Sequence, residues 1–359
     1  MSLAGCPSGL VGRRSWTHGS TIGGLAIRHA PRAGSATMPL RLRSRIRLRV
    51  GTCYASMRGV DQIDRGRELR SAAMTWLDRR PKESVDFVWL SGFEYDGQRI
   101  PLMDRQRGIR KPRGMDAALA IRTTFTPPGQ TPPYADSVGA DGLQRYKYRG
   151  TDPFHPENVA LRRAFELRLP IIWFVGVAPG AYEPIYPVWI VGDSPESLEF
   201  TLALDPAQQH FHASDASDVD YRSYMARLTK VRLHQKVFRT QVMLAYDGRC
   251  TVCNLGHSQL LDAAHIIADG EPGGLPVVPN GLAMCKIHHA AFDSRIMGIR
   301  PDNLTLHIRQ DVLDEIDGPM LRHGLQDMHG KALMKLPRSR TARPDEDRLA
   351  TRYEQFLSA

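Results

Sequence analysis

The sequence predicts an α+β protein. An N-terminal domain forms a curved β-sheet or small barrel, and a C-terminal domain is organised around a knot of cysteines and histidines. Three observations carry this expectation. Between residues 82 and 205, short apolar or alternating runs bounded by Gly, Pro, Asn and Asp outnumber helical patterns. From residue 221 the apolar spacing becomes helical, at Leu228, Val231, Val237, Val242 and Leu244. Then Cys250-x2-Cys253, His265, Asn280 and Cys285-x2-His288-His289 fall within forty residues.

In chain order, residues 1–60 are an Arg-rich leader with no continuous apolar core, too polar to repay its ordering entropy. Three readings stay open for it: a disordered tail or mis-assigned start upstream of Met57, an organelle transit peptide, or a basic arm on DNA backbone. A helical lead-in occupies 61–81, with Leu69, Ala73 and Leu77 on one face over 62–80. Val85 to Leu90 reads as a strand. Phe93–Tyr95 and Arg99–Leu102 flank Asp96-Gly97, a hairpin signal. A basic loop over 104–113 follows, then an apolar stretch through Ile121. Residues 126–157 are dense in Pro, Gly, Tyr and Asp, and Asn158 is placed to cap a helix over 159–168 that Pro170 ends. Strands are expected at 171–177, 187–191 and 198–204. A polar, acidic linker at 206–220 separates the recognition domain (82–205) from the last domain (221–359), where a helix over 221–246 leads to the turn Asp247-Gly248. An amphipathic helix at 344–357 packs back on that domain.

The chain has 359 residues and a formal charge of +10. Ten arginines and no acid lie in residues 1–60, so the remainder is formally neutral and the charge is weak evidence for a nucleic-acid partner. No apolar run is long enough to span a bilayer, and no membrane role is expected. Three of the five cysteines are in the knot and Cys6 and Cys53 are in the leader, so no disulfide framework exists in the folded part. Reduced thiolates binding metal in a cytoplasmic compartment are the natural reading. Cys250, Cys253, Cys285 and His288 match a closed tetrahedral site for structural Zn2+, with His257 the alternative fourth ligand.

Leu261-Asp262-Ala263-Ala264-His265-Ile266, Asn280-Gly281-Leu282 and Cys285-Lys286-Ile287-His288-His289-Ala290-Ala291-Phe292-Asp293 together resemble an HNH endonuclease of the zinc-bound kind. The resemblance implies a ββα-metal fold and hydrolysis of phosphodiester bonds. It makes His265 the general base, Asn280 the residue that orients its imidazole, and His289 a ligand of a catalytic divalent ion such as Mg2+. Asp293, four residues on, and Asp262 are further candidate ligands. Where many such enzymes place an Asp or His just before the base, this chain has Ala264. Each residue also has a plainer reading: His265 as a buried core histidine, Asn280-Gly281 as a turn, Asp293 as a salt-bridge residue, His289 as a solvent-facing one.

The first domain resembles those of predicted restriction endonucleases of the PUA/SRA-like class. The matching stretches are Ile100-Pro101-Leu102 through Gln106-Arg107-Gly108-Ile109, Tyr148-Arg149-Gly150-Thr151-Asp152-Pro153, and Pro170-Ile171-Ile172-Trp173-Phe174-Val175-Gly176. A reader of modified bases needs an aromatic slot, polar groups for the base edge, and cations for phosphates. Tyr134, Asp136, Tyr146, Tyr148, Asp152 and Trp173 are candidates for the slot. Arg105, Arg107, Arg110, Lys111 and Arg113 are candidates for a phosphate clamp, with Arg145, Lys147 and Arg149. The bland alternative is that the aromatics are core and the basic run a solvated loop. The expectation is a modification-dependent endonuclease acting on double-stranded DNA as a homodimer. Its rivals are an HNH nuclease that reads unmodified sequence, a non-catalytic zinc-stabilised DNA-binding protein, and an RNA-directed nuclease.

Overall fold

A computed structural model describes residues 47–80, 83–127, 138–208 and 219–359, so most of the leader, Tyr134 and Asp136 lie outside the described residues. Residues 55–359 form one compact unit. Its first half is a mixed seven-stranded sheet in the order β4-β5-β7-β8-β9-β6, with β1 also paired to β8.

Helix α1 (Arg47–Leu77) begins well before the expected lead-in and buries Leu69, Ala73 and Leu77 as predicted. β1 is only Val85–Asp86. The expected strand stops there because the Asp86 side chain accepts from Trp89 N at 2.8 Å, capping the short helix α2 (Phe87–Leu90). Trp89 then stacks on Trp76 of α1 with ring centroids 3.8 Å apart. The hairpin forms as expected, β2 (Glu94–Tyr95) with β3 (Gln98–Arg99), and Asp96 and Gly97 take φ of 51° and 68°. Positive φ at both central residues is what a two-residue hairpin of matching twist requires.

β4 (Ile109–Arg110) pairs with β5 (Ala120–Thr123), which runs parallel to β7 (Ile171–Ala178). β6 (Gln144–Lys147) closes the far side against β9 (Glu199–Ala203). β8 (Ala181–Ser194) is the spine, and it extends well past the expected 187–191. Prolines disfavour a central strand because they lack a donor. Here one edge of β8 switches from β1 at residues 181–182 to β9 at 189–194, and Pro184 and Pro187 occupy the gap between.

The sheet curls until its ends meet. The Tyr146 hydroxyl on β6 lies 3.3 Å from Gly108 O and 3.2 Å from Arg122 O, beside β4 and β5 at the opposite end of the strand order. Both faces of β7 are buried, as alternation dictates. Ile172 and Phe174 face α1, while Ile171 and Trp173 join a second core with Tyr148, Phe200 and α3 (Pro156–Glu166). Helix α3 is capped by His155 rather than Asn158. The Asn158 side chain instead bonds Arg149 N at 2.9 Å, Arg149 O at 3.1 Å and Asp152 O at 2.8 Å, bracing the loop ahead of the helix.

The expected linker is partly structured. Gln208 is fully buried, and its side chain bonds Leu204 N, Met225 O and Thr229. Residues 209–218 lie outside the described residues. The predicted long helix is α4 (Val219–Thr229) and α5 (Lys236–Ala245), joined by a π-helical stretch, Lys230–Gln235. Helix α5 packs on β7 and β8 and also on the hairpin β10 (Leu261–His265) and β11 (Gly281–Cys285). It can lie that close because residue 281 is glycine: a Cβ there would come within 2.4 Å of Val242 and 2.9 Å of Phe238.

The chain continues through α6 (Lys286–Asp293), the pair β12 (Met297–Ile299) and β13 (Leu306–Ile308), α7 (Gln310–Leu313) and α8 (Pro319–Gly324). It ends in α9 (Glu346–Leu357), which packs back as expected, its Phe356 ring against Gly298 of β12. No helix among the described residues is long and apolar enough to cross a membrane.

Candidate active site and metal centre

One tight turn, the end of β11 and the first turn of α6 assemble the knot. The chain folds back at Cys250, whose carbonyl accepts from Asn254 N at 2.9 Å, and Thr251 N donates to Ala283 O of β11 at 2.7 Å. That register brings Cys250 Sγ within 3.2 Å of Cys285 N. Cys285 precedes the first residue of α6, so His288 follows one turn later on the same side. Cys253 Sγ lies 4.0 Å from Cys285 Sγ, and His288 Nδ1 lies 3.5 Å and 3.1 Å from Cys250 and Cys285 Sγ. All four candidate ligand atoms lie within 4.8 Å of one another. A tetrahedral site with metal–sulfur bonds near 2.3 Å sets sulfurs roughly 3.8 Å apart. The residues therefore fit a bound metal. His257 is exposed and has no place in the cluster.

The electrostatics agree. Hydrogen bonds to Cys250 and Cys285 push the Cys253 thiol up, while bonds from Cys250 and Cys253 hold Cys285 down as a thiolate. Burial opposes charge on His288, yet its bonds to Cys250 and Cys285 lift it to about 10. A metal ion would supply positive charge at the centre of these four ligands without a proton. His288 Nε2 lies 2.7 Å from Gly324 O, so Nε2–H donates to that carbonyl and Nδ1 presents its lone pair to the cluster.

The candidate catalytic residues are placed less as expected. Alternation along β10 puts Asp262 and Ala264 on one face and His265 on the other. The His265 ring stacks on Phe238 of α5, centroids 4.1 Å apart and planes 17° off parallel. Asn280 does not orient it. Fully buried just ahead of β11, Asn280 accepts from Ile267 N at 2.9 Å and donates to Ile267 O and Leu275 O, both at 3.0 Å. It clasps the loop after His265, while the imidazole stacks on Phe238.

His289 lies on α6 between two carboxylates. Nδ1 is 3.5 Å from Asp262 and Nε2 is 3.2 Å from Asp293. Asp262 is already engaged by Lys286 at 2.5 Å and by Arg239 at 3.1 Å, and these cations, with the bonds from Lys286 and His289, outweigh its burial and hold its carboxyl below the usual range. Because the two acids approach opposite ring nitrogens, one ion cannot be held by His289 and both of them. Among the described residues the cysteine–histidine cluster is the one group of three or more such ligands that converges. Asp262 is therefore an ion-pair hub beside His289, while His289 and the more exposed Asp293 are left as a two-ligand set on one helix face.

Residues 250–300 match the family described as HNH endonuclease. This segment is an HNH endonuclease domain. The match contains the whole metal cluster together with His265, Asn280 and His289, and the protein is a nuclease that hydrolyses phosphodiester bonds. Among solved structures, one described as "Modification dependent TagI restriction endonuclease" is 18% identical, covering 70% of this chain and 85% of that one. Its TM-score of 0.24 means that the two backbones do not superpose as wholes. No curated protein matches the chain.

Away from the HNH domain, the curled sheet encloses a cavity of about 500 Å³. Tyr146, Tyr148 and Asp152 are among the residues around it, both tyrosines largely buried in the core. Trp173 is not among them: it is 2% exposed, in the core, with Nε1 donating to Thr123 Oγ1 at 2.9 Å. The Tyr148 hydroxyl bonds Asp193, which also accepts from Arg162, and burial together with that carboxylate pushes the phenol up to about 12.

The expected phosphate clamp divides. Arg105, Arg107, Lys111 and Arg113 are exposed, Arg105 lying over the Phe87 ring. Arg110 is half-buried and donates to Pro101 O. Arg145 and Lys147 are not available, because cross-strand Glu199 pairs with both and Asp141 holds Arg145 at 2.6 Å. Arg149 pairs with Glu157 at 2.8 Å. Glu157, a buried acid in the cavity wall, is the residue that sequence reasoning missed. An acid in the first turn of a helix reads as ordinary dipole complementation.

Proposed function

We propose that the protein is a restriction-type endonuclease that cuts double-stranded DNA after its curled sheet has read a modified base. The observation that carries this reading is one compact unit holding an HNH domain and, apart from it, a cavity of about 500 Å³ walled by two tyrosines. That volume falls inside the range of roughly 300–1,000 Å³ typical of small-molecule sites.

In this reading Zn2+ occupies the Cys250, Cys253, Cys285 and His288 cluster and braces the turn against α6. His265, stacked on Phe238, takes the proton from the attacking water. His289 and Asp293 hold a hydrated divalent cation such as Mg2+, which neutralises charge on the phosphate and leaving oxygen. Asp262 keeps Lys286 and Arg239 beside His289. Arg105, Arg107, Lys111 and Arg113 meet DNA backbone. Two strand cuts are served by two copies, as a homodimer.

Matched plasmids with and without cytosine or adenine modification, incubated with Mg2+, Mn2+ or chelator, test the reading. Cutting is expected only of a modified plasmid and only with a divalent cation. Equal cutting of unmodified DNA removes the modification dependence and leaves an HNH nuclease that reads ordinary sequence. His265→Ala should lower the cutting rate by about 10²–10⁴-fold with DNA binding retained, the usual weight of a general base. Undiminished cutting by that variant would remove His265 from the chemistry.

A further inference from the structure

We propose that Asp262 is a positioning residue for His289: its carboxylate accepts the Nδ1 proton of that imidazole and so leaves the Nε2 lone pair for the catalytic cation. This rests on the reading above in which His289 and Asp293 hold the cation, and it gives Asp262 a task other than ligation.

Each ring nitrogen of His289 faces a different acid. Nε2 lies 3.2 Å from Asp293 Oδ2, one turn along the same face of α6. Nδ1 lies 3.5 Å from Asp262 Oδ2 on β10. Two ligands at about 2.1 Å on neighbouring corners of an octahedron stand about 3.0 Å apart, so the first pair has the spacing that one hydrated cation requires. The second pair cannot share that cation, because it uses the other nitrogen of the ring. A neutral imidazole carries one proton, and the nitrogen that meets a carboxylate keeps it. Histidine ligands are commonly held in this way, the nitrogen away from the metal donating to an acid.

Asp262 is fixed for this task by groups outside the matched HNH segment. Its Oδ1 accepts from Arg239 Nη1 at 3.1 Å, and the same nitrogen donates to Leu261 O at 2.7 Å. Arg239 Nη2 in turn pairs with Glu83 Oε1 at 3.0 Å, and Glu83 lies between α1 and β1. Lys286 closes the other side, 2.5 Å from Oδ2. A carboxylate has about four lone-pair sites, so Oδ2 serves Lys286 and His289 together. The arginine thus ties the carboxylate to its own strand, and the ring of His289 closes against a group that is already held.

The full-length, zinc-loaded protein, labelled with 15N in histidine, tests this. Without divalent cation, and at a pH where imidazoles are neutral, the 15N shifts of His289 report which nitrogen carries the proton. Their loss in His289→Gln assigns them. The expected result is Nδ1–H in the wild type and a change toward Nε2–H, the form favoured in water, in Asp262→Ala. Mn2+ affinity, read from the EPR signal of the free ion, should fall about 10–100-fold in that variant, the usual weight of such a partner. Nε2–H in the wild type overturns the proposal, and that observation needs no variant to fold. A fall in Mn2+ affinity in Asp262→Ala with the tautomer unchanged also overturns it, since direct ligation predicts that result. His289→Gln and Asp293→Ala check the cation reading separately. If neither weakens Mn2+ binding, the cation lies elsewhere and both readings fall. If both weaken it while the wild type carries Nε2–H, the cation reading stands and the role of Asp262 alone is removed.

Discussion

The metal cluster and the cavity are assembled by opposite means. The cluster takes its ligands from two short stretches, 250–253 and 285–288, each a turn whose local geometry alone brings two ligands together. The cavity takes its walls from Gly108, Arg122, Tyr146 and Glu157, brought together by the curl of the sheet and the docking of α3. Chemistry carried by short spacing survives almost any error about the fold. Chemistry carried by long-range packing does not exist until the fold does.

The largest expected effect falls on the locally assembled side. Cys285→Ser removes a ligand and the thiolate that His288 faces, and structural sites of this kind contribute on the order of 10 kcal/mol to folding. Loss of bound metal and of cooperative melting in the C-terminal half is the expected outcome. A variant that melts like the wild type would dissolve the contrast drawn here. Asn280→Ala comes next. It leaves Ile267 N and two carbonyls short of their partner, at about 1–3 kcal/mol for a buried group so orphaned. A lowered melting temperature with an unchanged pH profile of cutting is expected. A shifted profile would return Asn280 to the role of imidazole partner.

These placements explain what could be read from residues alone. The cluster, the turn at Asp96-Gly97, the strands at 171–177 and 198–204 and the final helix follow from local pattern, and the structure contains each. The misreadings share one cause. Asp86, Asn158 and Asn280 carry side chains that can bond backbone at several sequence distances, and which backbone they reach depends on packing. Trp173 and Arg145 looked like ligand-facing groups, and partners distant in sequence, Thr123 and Glu199, claim them. Glu157 showed no signal, because its place in the cavity wall depends on how the sheet curls around α3.

A further effect, read as a slope with pH, lies at the seam between the two regions. Burial raises Glu183 on β8 to about 7, against the pull of Arg80 and Thr240. A folded value above the unfolded one stabilises the protein below the unfolded value, near 4.5, and that contribution is lost as pH rises through about 7. Melting temperature should therefore decline across that window, and Glu183→Gln should flatten the decline. An identical slope in the variant would assign the pH dependence to other groups.

Helix α5 carries one further consequence. Phe238, which supports the His265 ring, and Thr240, which bonds Glu183 of β8, are two residues apart on it. One helix thus touches both His265 of the HNH domain and β8 of the curled sheet. By the same token, cutting this nuclease free at its acidic connector would leave that helix with one flank stripped of its mate. Anyone grafting the catalytic half onto another reader must rebuild that flank first.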